Sequence, residues 1–136
     1  MLRMRFMPSD FHPVLLILGE RDGLEALSGL LSRFAEAGET ISLNDNGVFS
    51  EDTQVTLAAA GADLRLGLWP EKGGAGSLIW GLSPTKAEEF ADEVAKVARG
   101  ESRAGSATLE CEVLNEVVAK VSLGEFEDDF LLGDKW

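Results

Sequence analysis

Apolar and polar residues alternate along much of this chain, and this alternation restricts its fold more than any other feature. A period of two places every second side chain on one face of a β-strand. The alternating segments are Val55–Leu57, Leu64–Leu68, Leu78–Leu82, Ala107–Val113 and Val117–Leu123, and a continuous apolar run covers Pro13–Leu18. Because short turns separate most of them, we expect about six strands that pair mainly antiparallel, the three between the helices as a meander.

Two segments show the three- and four-residue spacing of amphipathic helices. The first is predicted to begin at the capping pattern Asp22-Gly23-Leu24-Glu25 and to end at Gly38. The second is predicted to begin at Ser83-Pro84 and to end at Gly100. Their apolar stripes are Leu24, Leu27, Leu31 and Phe34 in the first, and Ala87, Phe90, Ala91, Val94, Val97 and Ala98 in the second.

Together these elements predict an α+β fold of order β-α-β-β-β-α-β-β, in which both helices cover one face of the sheet. No linker or repeat divides the chain, so we expect a single domain over residues 1–136, with 125–136 as an acidic, aromatic C-terminal segment.

Charge and composition exclude several classes of function. The chain has 24 acidic and 12 basic side chains, a net charge of −12, which opposes attraction to nucleic acid and to anionic membranes. The apolar run near the N-terminus is too short for a bilayer span and lacks a cleavage signal, so we expect a cytoplasmic protein. One Cys and one His cannot form an internal disulfide or a closed zinc site, and we expect no metal or other cofactor.

Residues suited to catalysis are few. His12 is the only side chain ready to act as a general base, but no nucleophile motif accompanies it. Cys111 occupies an inward position of an alternating strand, where we expect a small, inert core residue. The glycine cluster 72–77 has its lysine before the glycines and a strand after them, unlike a phosphate-binding loop. We therefore expect no catalytic residue.

The C-terminal segment is the strongest candidate for binding. It combines acidic and large apolar side chains: Glu125, Phe126, Glu127, Asp128, Asp129, Phe130 and Trp136. Large apolar groups rarely remain in water, so the segment should pack either on its own domain or on another chain. Trp69, beside Pro70 and the glycine cluster, is a further candidate contact residue.

Three stretches carry a resemblance to a known group of proteins. They are Leu78-Ile79-Trp80-Gly81-Leu82-Ser83-Pro84, then Ala87, Phe90 and Ala91, and later Val121-Ser122-Leu123-Gly124-Glu125-Phe126. Over about a third of its length the chain resembles small bacterial α+β proteins of the toxin-immunity type. The strand after the second helix departs from that group, since it opens with Gly105-Ser106-Ala107-Thr108. The resemblance implies a non-catalytic protein that blocks a toxin by occupying it, and the negative charge of the chain would suit a basic partner.

Three hypotheses of function remain at this stage. The first is an acidic, non-enzymatic binding domain for a basic protein. The second is a binding protein for a small molecule or divalent ion, or a minor enzyme, with a cleft near residues 69–77. The third is a homodimer that pairs sheet edges or tails.

Overall fold

The computed structural model describes residues 2–8, 13–61, 64–71, 76–101 and 105–124, and in these ranges the chain forms nine strands, two α-helices and one 3₁₀ turn. The elements are β1 (Leu2–Met7), β2 (Val14–Gly19), α1 (Arg21–Ala37), β3 (Ile41–Ser42), the 3₁₀ turn (Asn44–Asn46), β4 (Val48–Phe49), β5 (Gln54–Ala59), β6 (Gly67–Pro70), β7 (Ser77–Leu82), α2 (Pro84–Ala98), β8 (Ser106–Leu109) and β9 (Val118–Leu123).

The strands form two mixed sheets. One has the order β4-β1-β2-β9-β8 and the other β3-β5-β7-β6. Three pairs are parallel, namely β1 with β4, β2 with β9 and β5 with β7, and the remaining pairs are antiparallel. The predicted α+β class with two helices is confirmed. The predicted single, mainly antiparallel sheet and the predicted element order β-α-β-β-β-α-β-β are wrong in part.

The predicted meander between the helices is replaced by a parallel pair and an edge strand. β5 pairs in parallel with β7 over their full length, from Gln54↔Ser77 to Ala59↔Leu82. β6 lies antiparallel on the other side of β7, at the edge of the sheet. Pro70 in β6 has no amide hydrogen to donate, which suits an edge strand and disfavours the central position that a meander requires.

Strand β1 is an element that the sequence analysis missed. It pairs antiparallel with β2 from Leu2↔Gly19 to Met7↔Val14. Leu2 and Met4 are buried in the main core, while Arg3 and Arg5 have the opposite parity. Apolar and polar residues do alternate along β1. Because the polar positions of the second face include two arginines, this pattern is also typical of a charged flank before an apolar run.

The predicted start of the first helix is wrong, and the remaining helix ends agree well. α1 begins at Arg21 after Glu20, which makes no side-chain cap, so Asp22 lies inside the first turn. Its C-cap Gly38 has φ of 68°, the left-handed conformation that glycine adopts without strain. In α2 the Ser83 hydroxyl accepts a hydrogen bond from the Lys86 amide at 3.1 Å.

Both helices and the inner faces of both sheets share one hydrophobic core. All predicted stripe residues of α1 and α2 are buried, and Leu30 joins them. Trp80 of β7 contacts Phe90 of α2 at 5.6 Å between ring centroids, and the Ser28 hydroxyl donates to the Ala91 carbonyl oxygen at 2.8 Å, which fixes α1 against α2. An antiparallel bridge between Leu68 and Val117 joins the two sheets.

Candidate protein-binding surface

Exposed carboxylates occur in the middle of α2 and on the loop between β8 and β9. We call this region the acidic surface. It consists of Glu88, Glu89, Asp92 and Glu93 from the helix and Glu110 and Glu112 from the loop, all exposed. Among the described residues of α2 and this loop, the basic side chains are Lys86, which bonds Glu89 at 3.1 Å, and Lys96, which lies 3.6 Å from Glu93. With six carboxylates and two ammonium groups, these side chains carry a clear net negative charge.

The electrostatics of Lys86 show that the helix and the loop are neighbours. Its hydrogen bond to Glu89 raises the pKa of Lys86, against the opposing effect of desolvation, and the charge of Glu112 in the loop acts in the same direction as Glu89. Charges from two segments that are distant in sequence therefore act on one ammonium group. This is the expected behaviour of a group in a negative local field.

The loop holds an apolar side chain out into solvent at the edge of the acidic surface. Leu114 is 79% exposed. Glu112 and Asn115 on either side of it have φ of 59° and 67°, values that are uncommon for residues other than glycine. The base of the loop is anchored by Glu116, which is 8% exposed and whose carboxylate accepts a hydrogen bond from the Val113 amide at 3.3 Å. The hydrogen bond between Val113 and Glu116 therefore stabilises the turn that carries Leu114.

Cys111 lies under this surface and is poorly suited to nucleophilic chemistry. Its thiol is free and buried, just beyond the end of β8, which stops at Leu109 and does not continue to Val113 as predicted. Burial, assisted by the charge of Glu116, raises the pKa of the Cys111 thiol to about 11. A thiol with such a pKa remains protonated near neutrality and is a weak nucleophile.

Trp69, predicted as a contact residue, lies on edge strand β6 opposite Ile79 of β7. It is half-buried, and its indole nitrogen donates to the Leu66 carbonyl oxygen at 3.3 Å. The Arg65 guanidinium lies over the ring, 4.1 Å from its centroid. One face of the ring is therefore already occupied by a cation, and the role of Trp69 in binding stays a prediction.

The predicted cleft near residues 69–77 falls partly outside the described residues, since 72–75 are not among them. On either side of that gap the Glu71 amide donates to the Ser77 carbonyl oxygen at 2.8 Å, which continues the β6–β7 pairing. A separate open pocket lies between the end of α1 and β3, and is lined by Arg33, Ala37, Glu39, Thr40, Ile41, Ser42, Asp45 and Asn46. No predicted site residue lies in it.

Several predicted residues lie outside the described part of the chain. They are His12 and the whole C-terminal segment: Glu125, Phe126, Glu127, Asp128, Asp129, Phe130 and Trp136. Among the described residues, no three His, Cys, Asp or Glu side chains are grouped as a metal site would require.

The acidic surface is the feature that the sequence analysis missed. Its carboxylates come from residues 88–93 and 110–112, two segments that were assigned to a helix and to a strand. The available signal was four acids on the polar side of one short helix, which on its own is typical of a solvated face.

Comparison with known proteins adds no further assignment. No protein-family model, curated protein or solved structure matches the chain. In the part of the chain that the structure describes, no helix is long and apolar enough to cross a bilayer. The function is therefore inferred from the chain's own residues.

Proposed function

We propose that this chain is a non-catalytic protein-binding domain that binds a basic partner, in the manner of an immunity protein. The observation that carries the proposal is the acidic surface with Leu114 exposed at its edge. Complementary charge accelerates association and selects the partner, while a projecting apolar side chain offers a group that a partner can bury. The raised pKa of Cys111 supports a binding role over thiol catalysis.

The first experiment is recovery of the partner. The tagged chain is incubated with an extract of its source cells at low and at high salt, and bound proteins are identified by intact mass. We expect a stoichiometric basic protein that is released as the salt concentration rises, because exposed charge pairs are screened. If no basic protein binds at low salt, the proposal is wrong.

A matched pair of variants then tests the acidic surface with the recovered partner. One variant neutralises it: Glu88→Gln, Asp92→Asn and Glu112→Gln. The control removes three exposed carboxylates elsewhere: Asp22→Asn, Glu36→Gln and Glu39→Gln. We expect affinity to fall about tenfold in the first, since three exposed pairs at roughly 0.5 kcal/mol each sum to about 1.5 kcal/mol. An equal loss in both variants would remove the acidic surface from the interface.

The apolar part of the proposal has its own variant, Leu114→Ser. Because Leu114 is 79% exposed, the substitution should leave the free energy of unfolding unchanged. Loss of its burial in the complex should weaken binding by up to about 1.5–3 kcal/mol, mainly through faster dissociation. Unaltered dissociation would show that the partner does not cover Leu114.

A further inference from the structure

The five-stranded sheet contains only basic charged residues, although the whole chain has a net charge of −12. Its strands β1, β2, β4, β8 and β9 contain three basic residues, Arg3, Arg5 and Lys120, and no acidic residue. None of the 24 acidic residues of the sequence belongs to these five strands. The side chains of the three cations alternate along their strands with those in the main core, so they lie on the opposite face of the sheet. We call this side the basic sheet face.

The strand register places cations and leucines in rows across this face. Arg5 is opposite Leu16, and Leu16 is opposite Lys120, so a leucine of β2 stands between two cations on its neighbouring strands. One row further, Arg3 is opposite Leu18. Neighbouring strands are about 4.8 Å apart, so the cations of one row are roughly 10 Å from each other, a spacing that one acidic segment can bridge.

The centre of the basic sheet face is apolar and withdrawn from water. Leu16 and Leu18 are 3% and 4% exposed and form a cluster with Met7 that is separate from the main core. At the edge of the face Phe49 is 49% exposed, with the Arg3 guanidinium 5.9 Å from its ring centroid. Phe49 is therefore the apolar side chain that this face still exposes, and a segment that fits the face needs an apolar group for Phe49 together with carboxylates for the cations.

We propose that the occupant is the chain's own C-terminal segment, residues 125–136. In sequence it has five carboxylates and one lysine, interspersed with Phe126, Phe130, Leu131, Leu132 and Trp136. This composition complements the three cations in charge and the exposed Phe49 in hydrophobicity. It is also the alternative that the sequence left open, packing of the segment on its own domain.

The path of the backbone places Gly124, the residue before the segment, at the basic sheet face. The Gly124 amide donates to the Gly19 carbonyl oxygen at 3.0 Å, so residue 124 still lies beside the end of β2. A Cβ atom built on Gly124 would lie 3.5 Å from Leu18 Cδ1. Twelve further residues can span up to about 40 Å when extended, whereas a six-residue strand is about 20 Å long. The segment is therefore long enough to cross the whole face.

Photocrosslinking in the full-length chain tests this proposal without removing any part of the protein. Phe130 is replaced by the photoreactive residue p-benzoylphenylalanine, and a control chain carries the same group in place of Glu36 on the exposed side of α1. After irradiation at low micromolar concentration, intact mass separates crosslinks within one chain from crosslinks between two chains. Peptide mapping then identifies the attachment point.

We expect the Phe130 probe to attach within its own chain to peptides of β1, β2 or β9, and the Glu36 probe not to do so. In a Lys120→Glu background the yield should fall by about twofold to fivefold, the effect of one partly exposed ion pair. The matched exposed change Lys96→Glu should leave it unchanged. A thermal melt verifies that each variant is folded, and Lys120→Gln replaces Lys120→Glu if charge reversal prevents folding.

Attachment to the helices or to the four-stranded sheet would overturn the proposal. Attachment between two chains would identify a second copy as the occupant, and a yield that is insensitive to Lys120 would exclude the charge complementarity. None of these outcomes depends on a basic partner or on the acidic surface, so the test is independent of the proposed function.

Discussion

The Cys111 thiol offers the sharpest test of a non-catalytic role. With a pKa of about 11 in place of 9.0, its thiolate fraction at pH 7 should be roughly one in ten thousand, against one in a hundred for an unperturbed thiol. Its reaction with iodoacetamide should therefore be at least about a hundredfold slower in the folded chain than in the chain unfolded by urea, and burial should slow it further.

The assay is the alkylation rate from pH 7 to pH 11, followed by intact mass, with circular dichroism to verify that the chain remains folded. In the folded chain the rate should rise about tenfold per pH unit up to pH 10 and beyond, whereas in urea it should level off near pH 9. Glu116→Gln should lower the pKa of Cys111 by less than unfolding does, because burial is the larger cause. A folded-state rate that levels off at or below pH 9 would refute the reasoning and restore Cys111 as a candidate nucleophile.

The same pKa shift makes stability depend on pH. Since the folded state retains a proton that the unfolded state releases above pH 9, the contribution of Cys111 is fully present below pH 9 and is lost as the pH rises towards 11. The loss amounts to at most about 2.7 kcal/mol at 1.36 kcal/mol per pH unit. Urea unfolding of the wild type and of Cys111→Ala at pH 8 and pH 11 isolates this contribution from that of other groups. Parallel changes in the two proteins would contradict it.

Three further substitutions test the packing of α2 and β7. Ser83→Ala removes the acceptor of the Lys86 amide and should cost about 1 kcal/mol, or roughly 3–4 °C in Tm; an unchanged melt would show that the cap contributes nothing. Gly81→Ala would bring a methyl group against the Arg65 carbonyl oxygen, and we expect a cost of about 1–3 kcal/mol in urea unfolding, with a neutral effect arguing against this close approach. Phe90→Ala should cost about 3–5 kcal/mol by the same measurement, and a loss below about 1 kcal/mol would contradict its burial against Trp80.

Local sequence patterns were sufficient to predict the helices and the inward faces of the strands. The stripe from Ala87 to Ala98 is buried as expected, and Ser83 and Gly38 act as the predicted caps. These features depend on residues three or four positions apart, so the chain specifies them locally. The start of α1 is the exception, since Glu20 precedes the helix without a side-chain cap and Asp22 lies within its first turn.

Strand pairing could not be predicted to the same extent. Alternation in β5 and β7 identifies which side chains are buried, but it is equally compatible with parallel and antiparallel neighbours. The edge position of Pro70 is a local clue against the meander, whereas the pairing of β2 with β9 joins segments about a hundred residues apart in sequence. Arg3 and Arg5 concealed β1 because a strand with a polar second face resembles a charged flank.

The amino-acid sequence by itself determined the net charge of the chain, its two helices and the apolar stripes that those helices bury. Only the tertiary structure brought Glu112 close enough for its charge to act on Lys86, and only the register of the five-stranded sheet placed Arg5 and Lys120 on either side of Leu16. The physical reason is one of range. The periodicity of apolar residues indicates, over a few positions, which side chains are buried. A surface contains residues from distant segments, and these meet only when the strands have paired, although many other pairings have similar local energies.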